Sequence, residues 1–194
     1  MRHATLAVLA GLLTACQPSS PEQQTQVTTP PPGPAAGTVE WKIENALSAA
    51  PAAIAANATV LDWAAEPGGA MPELRPGTNG WTCMPDVPTT PGEDPMCLDG
   101  PWMQWAAGWM GHTKPTVTGV GVAYMLKGGS DASNTDPFAT HADSMTGWIN
   151  SGPHVMIVVP DPAMLDGMTT DHTSGGPYVM WQGTPYAHIM VPVK

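Results

Sequence analysis

Apolar residues recur along this chain with two periods, and the switches between them mark out its elements. Trp41, Ile43, Leu47, Ala50 and Ile54 fall near helical spacing and form one stripe through two short helical pieces. Pro51 sits mid-run; lacking a backbone N–H, it ends the first piece and suits the first turn of the second. Ala58 to Trp63 reads as a strand. Beyond a Gly68-Gly69 break, Met71 to Arg75 and Trp81 to Met84 flank Pro76-Gly77-Thr78-Asn79-Gly80, turn chemistry that predicts a hairpin. The prolines and acids between Cys83 and Cys97 predict a surface loop. A second helix follows, with Asp99 as N-cap, Pro101 in the first turn and Gly111 as its stop. Trp102, Met103, Trp105, Ala106, Trp109 and Met110 make it aromatic, and this stripe reads as a core face packed on a sheet.

Period two then takes over. Val117 to Lys127 alternates, with Val120, Val122, Tyr124 and Leu126 on one face. A long polar loop, Gly128 to Pro153, precedes His154 to Pro160, nearly all apolar and so expected to be buried on both faces. Loops this long in a compact domain are uncommon and often functional. A second polar loop, Asp161 to Gly176, leads into Tyr178–Gln182, Gly183-Thr184-Pro185 and Tyr186–Val193, a terminal hairpin. Two helical regions and about seven strands joined by hairpin-like turns predict a single α+β domain with a largely antiparallel sheet.

The N-terminus has a different pattern. Arg2 precedes an uncharged apolar run, Ala4 to Leu13, too short for the roughly 20 residues a bilayer span needs. Leu13-Thr14-Ala15-Cys16 resembles a bacterial lipobox. The resemblance implies removal of residues 1–15 as a signal peptide and lipidation of Cys16. Multiple acyl chains on one cysteine make a stable anchor to a membrane outside the cytoplasm. Gln17, where an aspartate favours inner-membrane retention in enterobacterial lipoproteins, points to the outer membrane if the cell has one. Residues 16–38, rich in Ser, Gln, Thr and Pro, then form a tether, and 39–194 the globular domain.

Removing the leader takes away Arg2 and no acid, leaving 5 Lys and Arg against 16 Asp and Glu, a net charge of −11. A chain without a basic footprint is a poor partner for nucleic acid. With Cys16 lipidated, Cys83 and Cys97 remain, and in an oxidising compartment they read as a disulfide.

No GxSxG, HExxH, Walker-type loop, GxGxxG or CxxCH motif occurs. Asp131-Ala132-Ser133-Asn134-Thr135-Asp136 has the acid spacing of a calcium loop but lacks the central Gly and closing Glu of an EF-hand, so it reads as capped turns. Two His-x-Met units carry the most chemistry. In a strand, i and i+2 share a face, so His154 with Met156 and His188 with Met190 would each set an imidazole beside a thioether. That pairing suits copper(I) and resembles the His-x-Met element of periplasmic copper chaperones. The competing enzyme reading is an envelope hydrolase built from the loop residues His141, Asp136, Asp171 and His172, a histidine oriented by an aspartate serving as general base. A third class is a non-catalytic partner-binding module. The blocks Gly77–Asp86, Asp94–Asp99, Ser133–Pro137 and Gly175–Trp181, with Gly183-Thr184-Pro185-Tyr186, resemble a family of small exported bacterial proteins of no established activity. That resemblance implies one intact domain from about Trp41 onward and no function.

Overall fold

Helix α1 (Val39–Leu47) begins at Thr38, whose hydroxyl accepts the Trp41 N–H and satisfies one of the donors every helix start leaves free. The computed structural model describes residues 1, 33–66, 68–87, 89–142, 144 and 147–193. The lipobox, Cys16 and the tether as far as residue 32 lie outside the described residues. Pro51 stands just ahead of α2 (Ala52–Ala55), capping it from outside rather than occupying its first turn.

Next come β1 (Thr59–Leu61), β2 (Glu73–Arg75), β3 (Thr82–Met84) and β4 (Met96–Leu98). The expected hairpin between β2 and β3 does not form. Both strands flank β1 instead, β2 antiparallel and β3 parallel to it. The turn residues serve another contact. A Cβ on Gly77 would lie 2.1 Å from the Thr59 nitrogen, and the Thr78 N–H donates to the Asn57 carbonyl at 2.8 Å. Arg75 Nη2 adds bonds to the Ala55 and Ala58 carbonyls at 2.7 and 2.6 Å. Glycine is thus required where the chain crosses the start of β1, and β1 separates the two strands.

The cysteine segment is less superficial than its composition suggests. β3 and β4 pair antiparallel with Cys83 opposite Cys97, and a disulfide joins them. Pro85, Asp94 and Pro95 are buried, leaving Thr89, Pro91 and Glu93 exposed. The Asp94 carboxylate holds the loop by accepting the Val87 N–H and the Thr90 hydroxyl.

Helix α3 (Gly100–Met110) forms as its caps predict, with Asp99 Oδ1 accepting the Trp102 N–H at 2.9 Å. Asp99 Oδ2 also accepts the Val122 N–H at 2.8 Å, fastening the helix start to β5 (Gly121–Met125). The alternation in β5 is as expected, but its inward face is the other one. Gly121, Ala123 and Met125 are buried, while Val122 and Tyr124 are half-buried. A Cβ on Gly121 would meet Val158 Cγ2 at 2.7 Å and the Trp102 nitrogen at 2.9 Å. The helix start lies so close to the strand that only small residues fit beneath it.

The long 128–153 loop contains two strands of its own, β6 (Gly129–Asp131) and β7 (Ile149–Ser151), paired as a separate antiparallel ribbon. Then follow β8 (His154–Val158), a 3-10 turn (Pro162–Leu165), β9 (Tyr178–Met180) and β10 (His188–Pro192). β9 and β10 form a terminal hairpin as expected, but the strands are shorter than the pattern suggests, and 181–187 connect them. The main sheet has eight strands in the order β2-β1-β3-β4-β5-β8-β10-β9, antiparallel at every pairing except β1–β3. Three helices and a mixed sheet therefore make up a fold of both classes of structure, and residues from Gly33 onward belong to one compact unit.

One sheet face carries the main core: Met84, Leu98, Ala123, Met156, Val158, Met180 and Met190 pack with Trp102, Trp105 and Trp181. Opposite, α1 covers β1, β3 and β4 around the disulfide, and the 3-10 turn covers Val179 and Ala187. Between these covers, Val155 and Ile157 of β8 are half-buried, so the expected burial on both faces holds for only one. Among the described residues no helix is long and apolar enough to cross a membrane.

Candidate functional site

The two His-x-Met units lie on adjacent strands and one face, as period two requires. Their register sets them head to tail: Met190 is opposite Met156, and Pro192 opposite His154. His188 thus stands four residues from the level of His154, roughly 14 Å along the strands at about 3.4 Å per residue. The two histidines have different surroundings.

His188, 2 % exposed, belongs to the core. Trp102, Trp105 and Trp181 surround its ring with centroids 5.1–5.4 Å away, each near edge-on. Its Nδ1 donates to the Tyr186 carbonyl at 3.0 Å, since a carbonyl can only accept. Burial pushes its pKa down to about 4, so it is neutral at pH 7. Trp181 reaches this cluster from a left-handed backbone conformation, φ 57°, pinned by its N–H to the Asn134 carbonyl and its indole N–H to the Ser133 carbonyl. Met156, 7 % exposed, lies in the same core, and its carbonyl accepts the Trp102 indole N–H.

His154 lines a cleft of about 180 Å³ together with Ser151, His172, Tyr178 and Met190. Its Nδ1 donates to the Gly152 carbonyl at 2.7 Å, which fixes the tautomer and leaves Nε2 as a bare lone pair. Among the described residues that Nε2 is buried with no hydrogen-bond partner. Burial lowers the His154 pKa, so the ring is neutral at pH 7. Met190 projects to the same side of the sheet as Tyr178, its partner across the β9–β10 ladder. The Tyr178 and Ser151 hydroxyls share a hydrogen bond at 3.1 Å, joining β9 to the β7 ribbon.

Two acids stand on the β6 side, Asp94 buried and Asp131 half-buried. Burial and the neighbouring Asp94 push the Asp131 carboxyl up to about 7, and Asp94 itself rises to about 6, mainly through burial. Tyr178 is also raised, by burial and by Asp131. A carboxyl protonated about half the time at pH 7 is a poor calcium ligand. The rest of the 131–136 stretch forms capped turns: the Ser133 hydroxyl accepts the Thr135 and Asp136 N–H groups, and Asp136 Oδ1 accepts that of Phe138.

Of the loop residues with possible catalytic roles, His172 alone lines the cleft. His141 bonds its neighbour Thr140, and Asp171 Oδ1 takes the Thr173 N–H and hydroxyl. Asp136 caps a turn. The sequence therefore marked His154, Met190 and His172 individually without showing that they share a cleft. It did not mark Ser151, Thr173 or Tyr178. The one signal for Tyr178 was the terminal hairpin, whose register sets it opposite Met190.

Among the described residues no three of His, Cys, Asp or Glu converge as an ion site. Comparison of the chain with family models, with curated proteins and with solved structures finds no match.

Proposed function

We propose that this is an extracytoplasmic binding protein, anchored through lipidated Cys16, whose ligand seat is the cleft at His154. The observation that carries this reading is the unpartnered, buried Nε2 of a neutral histidine lining that cleft. A buried acceptor left unsatisfied costs about 1–3 kcal/mol, a penalty that a bound donor or metal ion would remove. Neutral imidazole is a common metal ligand, and thioether sulfur favours copper(I). With Met190 beside it, His154 offers both. The four-residue copper set read from the sequence thus reduces to His154 and Met190, with His188 and Met156 supporting them from the core.

The geometry favours binding over hydrolysis, because the cleft gathers one loop histidine and none of the loop aspartates named as its partners. The lipobox resemblance and the acidic mature chain support a place on a membrane through acyl chains rather than through surface charge.

The test is titration of the full chain with copper(I) against a chromogenic chelator, beside His154→Ala and His188→Asn. One-to-one binding lost in His154→Ala and kept in His188→Asn is the expected result. Equal weak binding in all three would end the metal reading. For the anchor, Cys16→Ser should move the protein from the detergent phase to the aqueous phase on partition; no change would refute lipidation.

A further inference from the structure

The notable residue on the outer wall of the cleft is His172, which is exposed yet held in place. Its loop is fixed on both sides. The Val179 N–H donates to the Thr169 carbonyl at 2.8 Å, and the Asn134 amide donates to the Thr170 carbonyl at 2.9 Å. Beyond it, Asp171 Oδ1 closes a turn by accepting the Thr173 N–H at 2.9 Å and its hydroxyl at 2.6 Å. These bonds set the His172 ring against that of Tyr178, with centroids 6.3 Å apart and planes at 61°. Among the described residues His172 makes no side-chain hydrogen bond, so the ring is positioned without being used.

Resting on the cleft reading above, we infer that His172 is the third donor of the site, completing a two-imidazole, one-thioether seat for a soft monovalent cation, copper(I) or silver(I). The donors come from three parts of the fold: His154 from β8, Met190 from β10 and His172 from the 161–176 loop. All three are uncharged when they bind, and the residues lining the cleft include no carboxylate. A divalent cation would keep its full charge in a partly dehydrated site. Thioether sulfur is also a poor ligand for hard cations. Asp171, the neighbour of His172, is exposed and lies outside the cleft lining, its Oδ1 taken up by the Thr173 N–H and hydroxyl, and Asp94 and Asp131 do not line the cleft either. The loop thus supplies both the ligand that closes the site and its opening to solvent.

The test uses the anaerobic full chain loaded with one equivalent of copper(I), read by chelator competition and by copper K-edge absorption. Wild type should show two nitrogen and one sulfur scatterers, and a tenfold excess of zinc should not displace the copper. His172→Ala, a change at an exposed position, should fold normally and lose one nitrogen scatterer. Its affinity should fall by more than the roughly 10–100-fold typical of losing an outer-shell partner. Unchanged affinity and an unchanged shell in His172→Ala, with binding still abolished in His154→Ala, would overturn the role of His172 and leave the cleft reading standing. Failure of the wild type to bind copper(I) would overturn both. Displacement by zinc would overturn the monovalent preference.

Discussion

Replacing His188 with asparagine removes a buried imidazole while keeping an amide that can donate to the Tyr186 carbonyl. The folded-state pKa of His188 is about 4, against 6.5 for an unperturbed histidine. Between those values the unfolded chain binds a proton that the folded chain refuses, so stability falls as the pH drops. At 1.36 kcal/mol per pH unit, His188 costs the wild type about 3 kcal/mol between pH 7 and pH 4. Asp131 and Asp94 act in the opposite direction. Their folded pKa values are raised, so the folded state binds protons more tightly there and gains stability on acidification. Both acids are present in wild type and variant, and their contribution cancels in the difference. Urea unfolding at half-unit steps from pH 4 to pH 8 gives that difference directly. The variant should be less stable at pH 8, through the volume it gives up among three indoles, and the gap should close by about 3 kcal/mol toward pH 4. Parallel curves would show that His188 titrates alike in both states and is not held neutral by the tryptophans.

Asp99→Ala removes a helix cap worth about 1 kcal/mol and leaves the Val122 N–H without its acceptor, for a combined loss of roughly 2–4 kcal/mol in urea unfolding. Asp99→Asn keeps one acceptor oxygen for the cap but sets its NH2 against the Val122 N–H, so it should lose about half of that or more. Gly121→Val forces methyl groups against the Trp102 backbone and Val158, at a cost of about 1–3 kcal/mol or more, whereas Gly119→Ala, with open space around it, should melt like wild type. The Cys83→Ala/Cys97→Ala pair releases a 14-residue link and should lower stability by about 3 kcal/mol in the chain-entropy model; an unchanged urea midpoint would contradict it.

Local signals were legible in the sequence where local chemistry decides. Asp99, Pro101 and Gly111 delimit α3 because capping acts within one turn; the terminal hairpin also forms, but its connection runs over 181–187 rather than Gly183-Thr184-Pro185 alone, because Trp181 leaves the strand to bond Asn134. Pro76–Gly80 carried the same kind of signal and gave a different structure. Gly77 is small for a close approach to the β1 backbone, and no local pattern separates that need from a hairpin turn. In β5, hydrophobicity favoured the valine face, but the position of α3 reserved the deeper side for Gly121 and Ala123. Period two correctly set each histidine beside its methionine. The register between β8 and β10 was not readable, and it enclosed His188 in tryptophan while leaving His154 at a cleft. His172 stood out as a loop histidine; its neighbours there depend on hydrogen bonds across the 128–153 and 161–176 loops.

The most direct measurement is nitrogen-15 NMR of the histidine side chains at pH 7, before and after one equivalent of copper(I). His154 should begin as the tautomer with its proton on Nδ1, and on loading its Nε2 should shift by tens of parts per million while His188 stays in place. A shift at His188 with none at His154, or no shift at either, would contradict a metal seat at the His154 cleft.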